Sequence, residues 1–111
     1  MKKFFTDVFT RDKKQCVFCG KDLMHSFDDF WSAKADHLIP REMREDLAQS
    51  TDNMVTSCHV CNNLKGEFFP DELTQLNPSI PEHKEQILSR LRAHIFEKRA
   101  EKLNLFVKWF E

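Results

Sequence analysis

The chain has 111 residues, the size of one small domain, and its 41% hydrophobic and 32% charged residues are ordinary for a soluble globular protein. A net charge of −1 excludes a wholly basic nucleic-acid coat, although it leaves room for a local basic face. No apolar run reaches the roughly 18 residues of a membrane span. Asp7, Arg11 and Asp12 interrupt any signal-peptide core, so we expect a cytoplasmic protein.

The first 14 residues have an amphipathic pattern. Phe4, Phe5, Val8 and Phe9 recur at helical spacing, which predicts a short helix or a packed arm. After residue 16 the chain becomes richer in polar chemistry, and we find no repeat and no linker rich in Gly or Ser. The sequence therefore predicts a single domain over residues 1–111.

Three aromatic residues, Phe27, Phe30 and Trp31, come shortly before the densest polar segment. Stacking on nucleic-acid bases is one use for such side chains. Packing in the core is the commoner use, and we predict it here. Further along the chain, helical character should end by Pro70, because the residue before a proline is biased away from the α region.

The last part of the chain, residues 82–110, predicts a long helix. Its apolar residues recur on one side with Arg, Lys and Glu between them. They are Ile87, Leu88, Leu91, Ile95 and Phe96, followed by Leu103, Phe106, Val107 and Phe110. This stripe should pack on the protein's own core, and a homodimer or partner-protein interface is the alternative. Residues 84–108 hold seven Lys or Arg against three Glu, which suits a solvated or a basic face.

Four cysteines form two Cys-x-x-Cys pairs, Cys16 with Cys19 and Cys58 with Cys61. Two such turns supply a tetrahedral shell of four thiolates, which is the ligand set of a structural zinc site. A redox dithiol or four buried free cysteines are the alternatives, and the duplication of the pair argues against both. His59 could also replace one thiolate.

The segment between the pairs, residues 20–57, is longer than the 15–20 residues usual in zinc ribbons and carries a motif of its own. It contains Asp36-His37-Leu38-Ile39-Pro40, then Asp52-Asn53, and the second cysteine pair continues as Asn62-Asn63-Leu64-Lys65-Gly66. In this order the pattern over residues 16–66 resembles the HNH endonuclease family.

The resemblance implies an α+β fold with a small ββα-metal (His-Me finger) core, stapled by the four-cysteine zinc site and flanked by helices. Carried onto this chain, the first strand ends near Asp36–His37, the second is about Met54–Ser57, and the helix begins around Cys61. The core motif would cover about residues 16–68 and the helical extension about 82–110. The family also suggests a bacterial or phage origin.

The residue types suit phosphodiester hydrolysis. His37 can take a proton from water near neutral pH. Asp36 and the side-chain oxygen of Asn62 are hard ligands for a catalytic Mg²⁺ or Mn²⁺. The family often has histidine where Asn62 stands, and asparagine should favour these hard ions over Ni²⁺ or Zn²⁺. Asn53 resembles the family's middle asparagine, which orients the histidine for catalysis. Lys65 could contact phosphate or be a solvated lysine.

The sequence thus predicts a hydrolase, a divalent-metal-dependent endonuclease acting on duplex DNA. A zinc-stabilised module that binds nucleic acid or protein without catalysis is the alternative, and a nuclease subunit that needs a partner for targeting is a third reading. His25, His83 and His94 belong to no motif, and we expect His25 at the surface.

Overall fold

The computed structural model describes residues 3–111, with side chains from residue 5 onward, so the prediction for the Phe4 side chain lies outside the described residues. The helices and strands in chain order are α1 (Lys3–Arg11), α2 (Phe27–Ser32), β1 (Lys34–His37), β2 (Met54–Ser57), α3 (His59–Lys65) and α4 (Pro81–Trp109). No helix in this described part of the chain is long and apolar enough to cross a membrane.

The centre of the fold is an antiparallel pair of strands followed by a helix. In the register of β1 and β2, Asp36 lies opposite Val55 and His37 lies opposite Met54. All four residues of β2 are buried, whereas β1 is only partly covered. The predicted strand positions are confirmed, and so is the α+β class with a long C-terminal helix.

The end of α1 clamps the second strand through side chains. Arg11 donates hydrogen bonds to the carbonyl oxygens of Thr51 (2.8 Å) and Met54, and Asp12 accepts one from the backbone N–H of Thr56 (2.8 Å). The contacts at Met54 and Thr56 satisfy backbone groups of β2, which would be costly to bury unpaired. The chain then turns through Lys13, where φ is +60°.

Helix α1 is amphipathic, as its sequence predicts, and buries Val8 and Phe9. Phe9 meets the ring of Phe30 edge-on, with 5.7 Å between ring centroids. The prediction of core packing is wrong for the other two aromatic residues of this region. Phe27 and Trp31 are 69% and 73% exposed and stack on each other, because the six-residue helix α2 turns only Phe30 towards the core.

Helix α3 begins at His59, two residues before the predicted start. The reason is its cap: the Cys58 sulfur accepts a hydrogen bond from the backbone N–H of Cys61 at 3.3 Å. A side chain that satisfies one of the free N–H groups of the first turn stabilises the helix from that point. The helix ends at Lys65, well before Pro70, and the capping residue Gly66 has a φ of +53°, which suits glycine.

Helix α4 has two different halves. Its first half buries Ile87, Leu88, Leu91 and Ile95 in the core, as predicted. Phe96 does not join them and is 51% exposed, because at about 100° per residue it lies roughly 125° around the helix from the mean direction of the four buried side chains. Every residue from 99 to 111 is exposed, so the predicted packing of the later apolar residues on the core is wrong.

Candidate functional site

The four cysteines meet at one point of the fold. Their sulfur atoms all lie within 4.8 Å of one another, and the Cys19 and Cys58 sulfurs are 3.8 Å apart. Zinc–sulfur bonds of about 2.3 Å in a tetrahedron put the sulfurs about 3.8 Å from each other. The cluster therefore has the spacing of a four-thiolate zinc site, as predicted.

The scaffold of this cluster is a tight hairpin facing the start of α3. In the hairpin, the backbone N–H of Cys16 donates to Lys21 O (3.0 Å), and the Cys16 carbonyl accepts from Gly20 N (2.8 Å). Gly20 has a φ of +77°, which an L side chain rarely adopts. Arg92 of α4 donates two hydrogen bonds to the Val17 carbonyl and so fixes the hairpin to the core.

The chemistry of the cluster suits a metal. Hydrogen bonds from Cys58, and next from Cys61, hold the pKa of the Cys16 thiol well below its usual range, so a thiolate forms readily there. Thiolate is the form that binds zinc. Three of the cysteines are buried and Cys19 is exposed. His59 is exposed and is not part of the cluster.

A cleft of about 620 Å³ opens beside the end of β1. Its lining includes Asp36 and His37 from β1, Lys65 from the end of α3, and Arg41 from the loop that follows β1. The remaining lining residues are Pro40, Glu42, Met43, Gly66 and Glu67. Three of the predicted site residues thus share one concave surface, which is the usual form of a ligand site.

His37 is held by one ring nitrogen. Its Nε2 donates a hydrogen bond to the Ala48 carbonyl oxygen at 2.9 Å. Because a carbonyl oxygen can only accept, Nε2 carries the proton in the neutral ring and Nδ1 keeps a free lone pair. Nothing in the sequence singles out Ala48, which lies 11 residues away in the loop.

Asn53 closes the base of the loop over residues 38–53. Its side-chain oxygen accepts from Ile39 N at 2.9 Å, and its side-chain nitrogen donates to Ile39 O at 3.0 Å. The Asn53 carbonyl also accepts from Leu38 N at 2.8 Å. Asn53 and Ile39 are both fully buried, so these bonds are shielded from water. The loop that supplies the Ala48 carbonyl is therefore anchored at its base.

A second anchor, which sequence reasoning missed, holds the middle of the loop. Arg44 forms a two-point ion pair with Asp46, both bonds 2.9 Å long, and donates to the Thr74 carbonyl at 2.9 Å. The hydrogen bond from Arg44 holds the pKa of Asp46 below its usual value. No motif marks these residues, because the partner carbonyl comes from a segment 30 residues away. Arg41, a cation of the cleft wall, was also missed.

The Asp36 carboxylate faces a lysine. Its Oδ2 is buried and lies 3.2 Å from Lys65 Nζ, in an orientation that makes no hydrogen bond. The two side chains are 14% and 6% exposed, so Lys65 is not the solvated lysine that one reading of the sequence allowed. Oδ2 therefore has an ionic contact with Lys65 but no hydrogen-bond donor, which leaves a lone pair for a ligand.

Asn62 lies on the first turns of α3, one turn before Lys65, and is partly buried. Within residues 5–111 no side chain or backbone group hydrogen-bonds to its amide, so its oxygen is available to a ligand. It is not among the residues lining the cleft beside β1. Among the other histidines, His25 is exposed, His83 accepts a hydrogen bond from Asn77 N, and His94 stacks on Phe68.

The strand pair, the following helix and the cysteine cluster define a ββα fold with a metal-binding staple. Comparison with protein families agrees: the model for the HNH endonuclease family matches residues 16–68. Residues 16–68 are therefore similar to the HNH endonuclease family, as the motifs predict. Searches of curated proteins and of solved structures found no match.

Proposed function

We propose that this protein is a divalent-metal-dependent endonuclease that hydrolyses phosphodiester bonds in DNA. The observation that carries the proposal is the hydrogen bond from His37 Nε2 to Ala48 O, which leaves the Nδ1 lone pair of the neutral ring free. A base needs a free lone pair near neutral pH in a fixed orientation, and this arrangement supplies both. The family match supports nuclease chemistry in the same segment.

In this mechanism His37 is the general base. Its Nδ1 takes a proton from the attacking water as the new oxygen–phosphorus bond forms, and the bond from phosphorus to the 3′ oxygen breaks. Asn53 is a positioning residue, since it holds the loop whose carbonyl orients the His37 ring. Arg41, in the cleft wall, is placed to attract the phosphate backbone.

Asp36 and Asn62 would hold the catalytic cation. The buried Oδ2 of Asp36, which accepts no hydrogen bond, and the free amide oxygen of Asn62 fit Mg²⁺ or Mn²⁺, which prefer oxygen ligands and keep several waters. When bound, such an ion polarises the phosphate and neutralises charge on the leaving oxygen. The cysteine cluster would hold a structural Zn²⁺, because four protein ligands leave no open position for substrate.

The test is plasmid cleavage with Mg²⁺ or Mn²⁺ by the wild type and His37→Ala. Loss of a general base costs about 100- to 10,000-fold in rate, so the variant should cut at a small fraction of the wild-type rate. His25→Ala is the matched control, because it removes an exposed imidazole outside the cleft and should leave the rate unchanged.

Equal cutting by wild type and His37→Ala would contradict the assignment of the base. If no divalent ion supports cleavage and the protein still binds DNA, the chain is a zinc-stabilised binding module instead. Single-stranded DNA and RNA belong in the same assay, since they separate a duplex nuclease from the other substrate classes.

We also propose that the exposed half of α4 pairs with a second copy of the chain. Phe96, Leu103, Val107 and Phe110 are 49–75% exposed there and lie on one side of the helix. A face of this kind is costly to leave in water. A dimer would also bring two clefts to one duplex, which has two strands to cut.

A further inference from the structure

Lys65 is the one buried lysine in the described part of the chain, and it has an unusual position. It ends α3, where the helix dipole favours a positive charge, and its Nζ lies 3.2 Å from Asp36 Oδ2. Both side chains are almost shielded from water. A buried carboxylate without a nearby cation would be strongly unfavourable, so Lys65 neutralises Asp36 in the metal-free protein.

This pairing conflicts with metal binding at the same carboxylate. A divalent ion on Asp36 would sit within a few ångströms of the Lys65 ammonium, and like charges at that separation repel strongly where water is excluded. Lys65 also lines the cleft beside β1, so its four-carbon stem gives the ammonium a route from Asp36 to the open space of the cleft.

We propose that Lys65 is a resident counter-cation of the metal site, displaced from Asp36 by the divalent ion and moved into the cleft, where a phosphate oxygen can accept from it. This inference rests on the proposed function, because it takes Asp36 as a metal ligand. It assigns Lys65 two successive partners: Asp36 before metal binding and substrate phosphate afterwards. Lys65 thereby competes with the metal for Asp36. When the metal binds, the Lys65 ammonium moves into the cleft, so metal binding supplies the cleft with a positive charge.

The first test is direct binding of Mn²⁺, measured by calorimetry and by the Mn²⁺ electron paramagnetic resonance signal, without DNA. Lys65→Met keeps the length of the side chain and removes its charge. We expect it to bind Mn²⁺ about tenfold more tightly than the wild type, because the competing charge is gone. Lys65→Arg keeps a competing cation and should not gain affinity.

Arg41→Met is the matched control, since it removes a positive charge from the same cleft that forms no described ion pair with Asp36. Its Mn²⁺ affinity should change by less than about threefold, because an exposed charge is screened by water and salt. If Lys65→Met and Arg41→Met gain equally, the effect is the general field of the cleft and the inference is wrong. Equal or weaker binding by Lys65→Met than by the wild type also overturns it.

Asp36→Asn separates this inference from the proposed function. If the wild type and Asp36→Asn bind Mn²⁺ alike, Asp36 is not a ligand and the metal site itself is wrong. If Asp36→Asn loses binding and Lys65→Met gains none, the metal site stands and only the counter-cation role fails.

A second measurement uses the wild type alone and does not depend on how well a variant folds. Reductive methylation of lysines, mapped by mass spectrometry, should leave Lys65 protected in the metal-free protein. Saturating Mg²⁺ should raise its modification rate severalfold, while exposed Lys34 keeps the same rate. An unchanged Lys65 rate at a Mg²⁺ concentration that calorimetry shows to be saturating would overturn displacement.

Discussion

At the scale of single residues, the site depends on a side chain that forms hydrogen bonds normally made by a neighbouring strand. Asn53 forms with Ile39 the same two hydrogen bonds that a neighbouring strand would form. An amide is the only side-chain group that donates and accepts in this geometry at once. The loop after β1 can therefore leave the sheet without leaving the Ile39 N–H and C=O unpaired in the core.

Asn53→Ala should destabilise the fold by roughly 2–4 kcal/mol, because it leaves two buried backbone groups without partners. Urea unfolding should show a lower midpoint. Asn63→Ala is the control, since Asn63 is an exposed asparagine on α3 and its loss should change the midpoint little. An unchanged midpoint for Asn53→Ala would mean that water replaces the amide without cost.

The motif residues show how far sequence reasoning reaches at this scale. The positions of Asp36, His37 and Asn53 could be predicted, because their order and spacing between the cysteine pairs match a family pattern. Their partners could not. Ala48 contributes its backbone carbonyl, and Lys65 forms an ion pair with Asp36. No local sequence pattern marks either contact. The catalytic roles remain predictions until cleavage is measured.

At the scale of elements, the cysteine cluster joins parts of the chain that have few other reasons to meet. One pair lies in the hairpin at residues 16–19 and the other starts α3. Cys58 also caps that helix, so its sulfur both belongs to the cluster and accepts a hydrogen bond from the first turn of α3. Asn62 and Lys65 follow on the same helix, and their distance from β1 therefore depends on the staple.

The cluster should bind one Zn²⁺ per chain, and a strong chelator should lower the thermal midpoint by roughly 20 °C or more. A loss of about 4 kcal/mol suffices for such a shift in a domain of this size, and structural zinc contributes more. Elemental analysis and thermal unfolding with and without chelator measure both quantities.

Two variants test the ligand set. Cys61→Ser should lose zinc, because it removes a buried thiolate from the cluster. His59→Ala is its control and should keep one zinc per chain, since the exposed imidazole lies outside the four sulfurs. Zinc loss from His59→Ala would instead restore the alternative in which this histidine replaces a thiolate.

The elements also show why some predictions failed. Strand and helix positions near the motif were right, because the two cysteine pairs and the motif between them fix where the chain must turn. Hydrophobicity alone misplaced Phe27, Trp31 and Phe96 in the core, although each of these side chains is exposed on its helix. A helix buries one side, and which side it is depends on tertiary contacts that the pattern of a short segment does not determine.

At the scale of the whole molecule, the dominant feature is the projecting half of α4. The molecule extends 48 Å along its longest axis, and a 29-residue helix is itself about 43 Å long. Only the first half of that helix meets the core. The other half exposes Leu103, Phe106 and Phe110. The ring centroids of Phe106 and Phe110 lie 5.1 Å apart.

The spacing on this half is that of a two-helix seam. Phe96, Ala100, Leu103, Val107 and Phe110 alternate steps of four and three residues, which is the a and d pattern of a coiled coil. The seam is on a different side from the core-facing residues Ile87 to Ile95, so both can be covered at once. A second copy offers the same seam, and a two-fold pair is the commonest way for one surface to cover itself.

We therefore expect a dimer in solution. Light scattering after gel filtration should give twice the mass of one chain at about 10 μM, which requires a dissociation constant below that concentration. Leu103→Glu with Val107→Glu should give a monomer, because it places charges in the seam. Lys108→Glu is the control, since Lys108 is exposed and outside the seam. The monomeric variant should retain zinc and the fold, because the side chains of residues 103 and 107 are exposed. If both clefts act on one duplex, the same variant should convert plasmid linearisation into single-strand nicking.

A wild type that remains monomeric at ten times that concentration would contradict the proposed dimer. The exposed half of α4 would then be a surface for another partner.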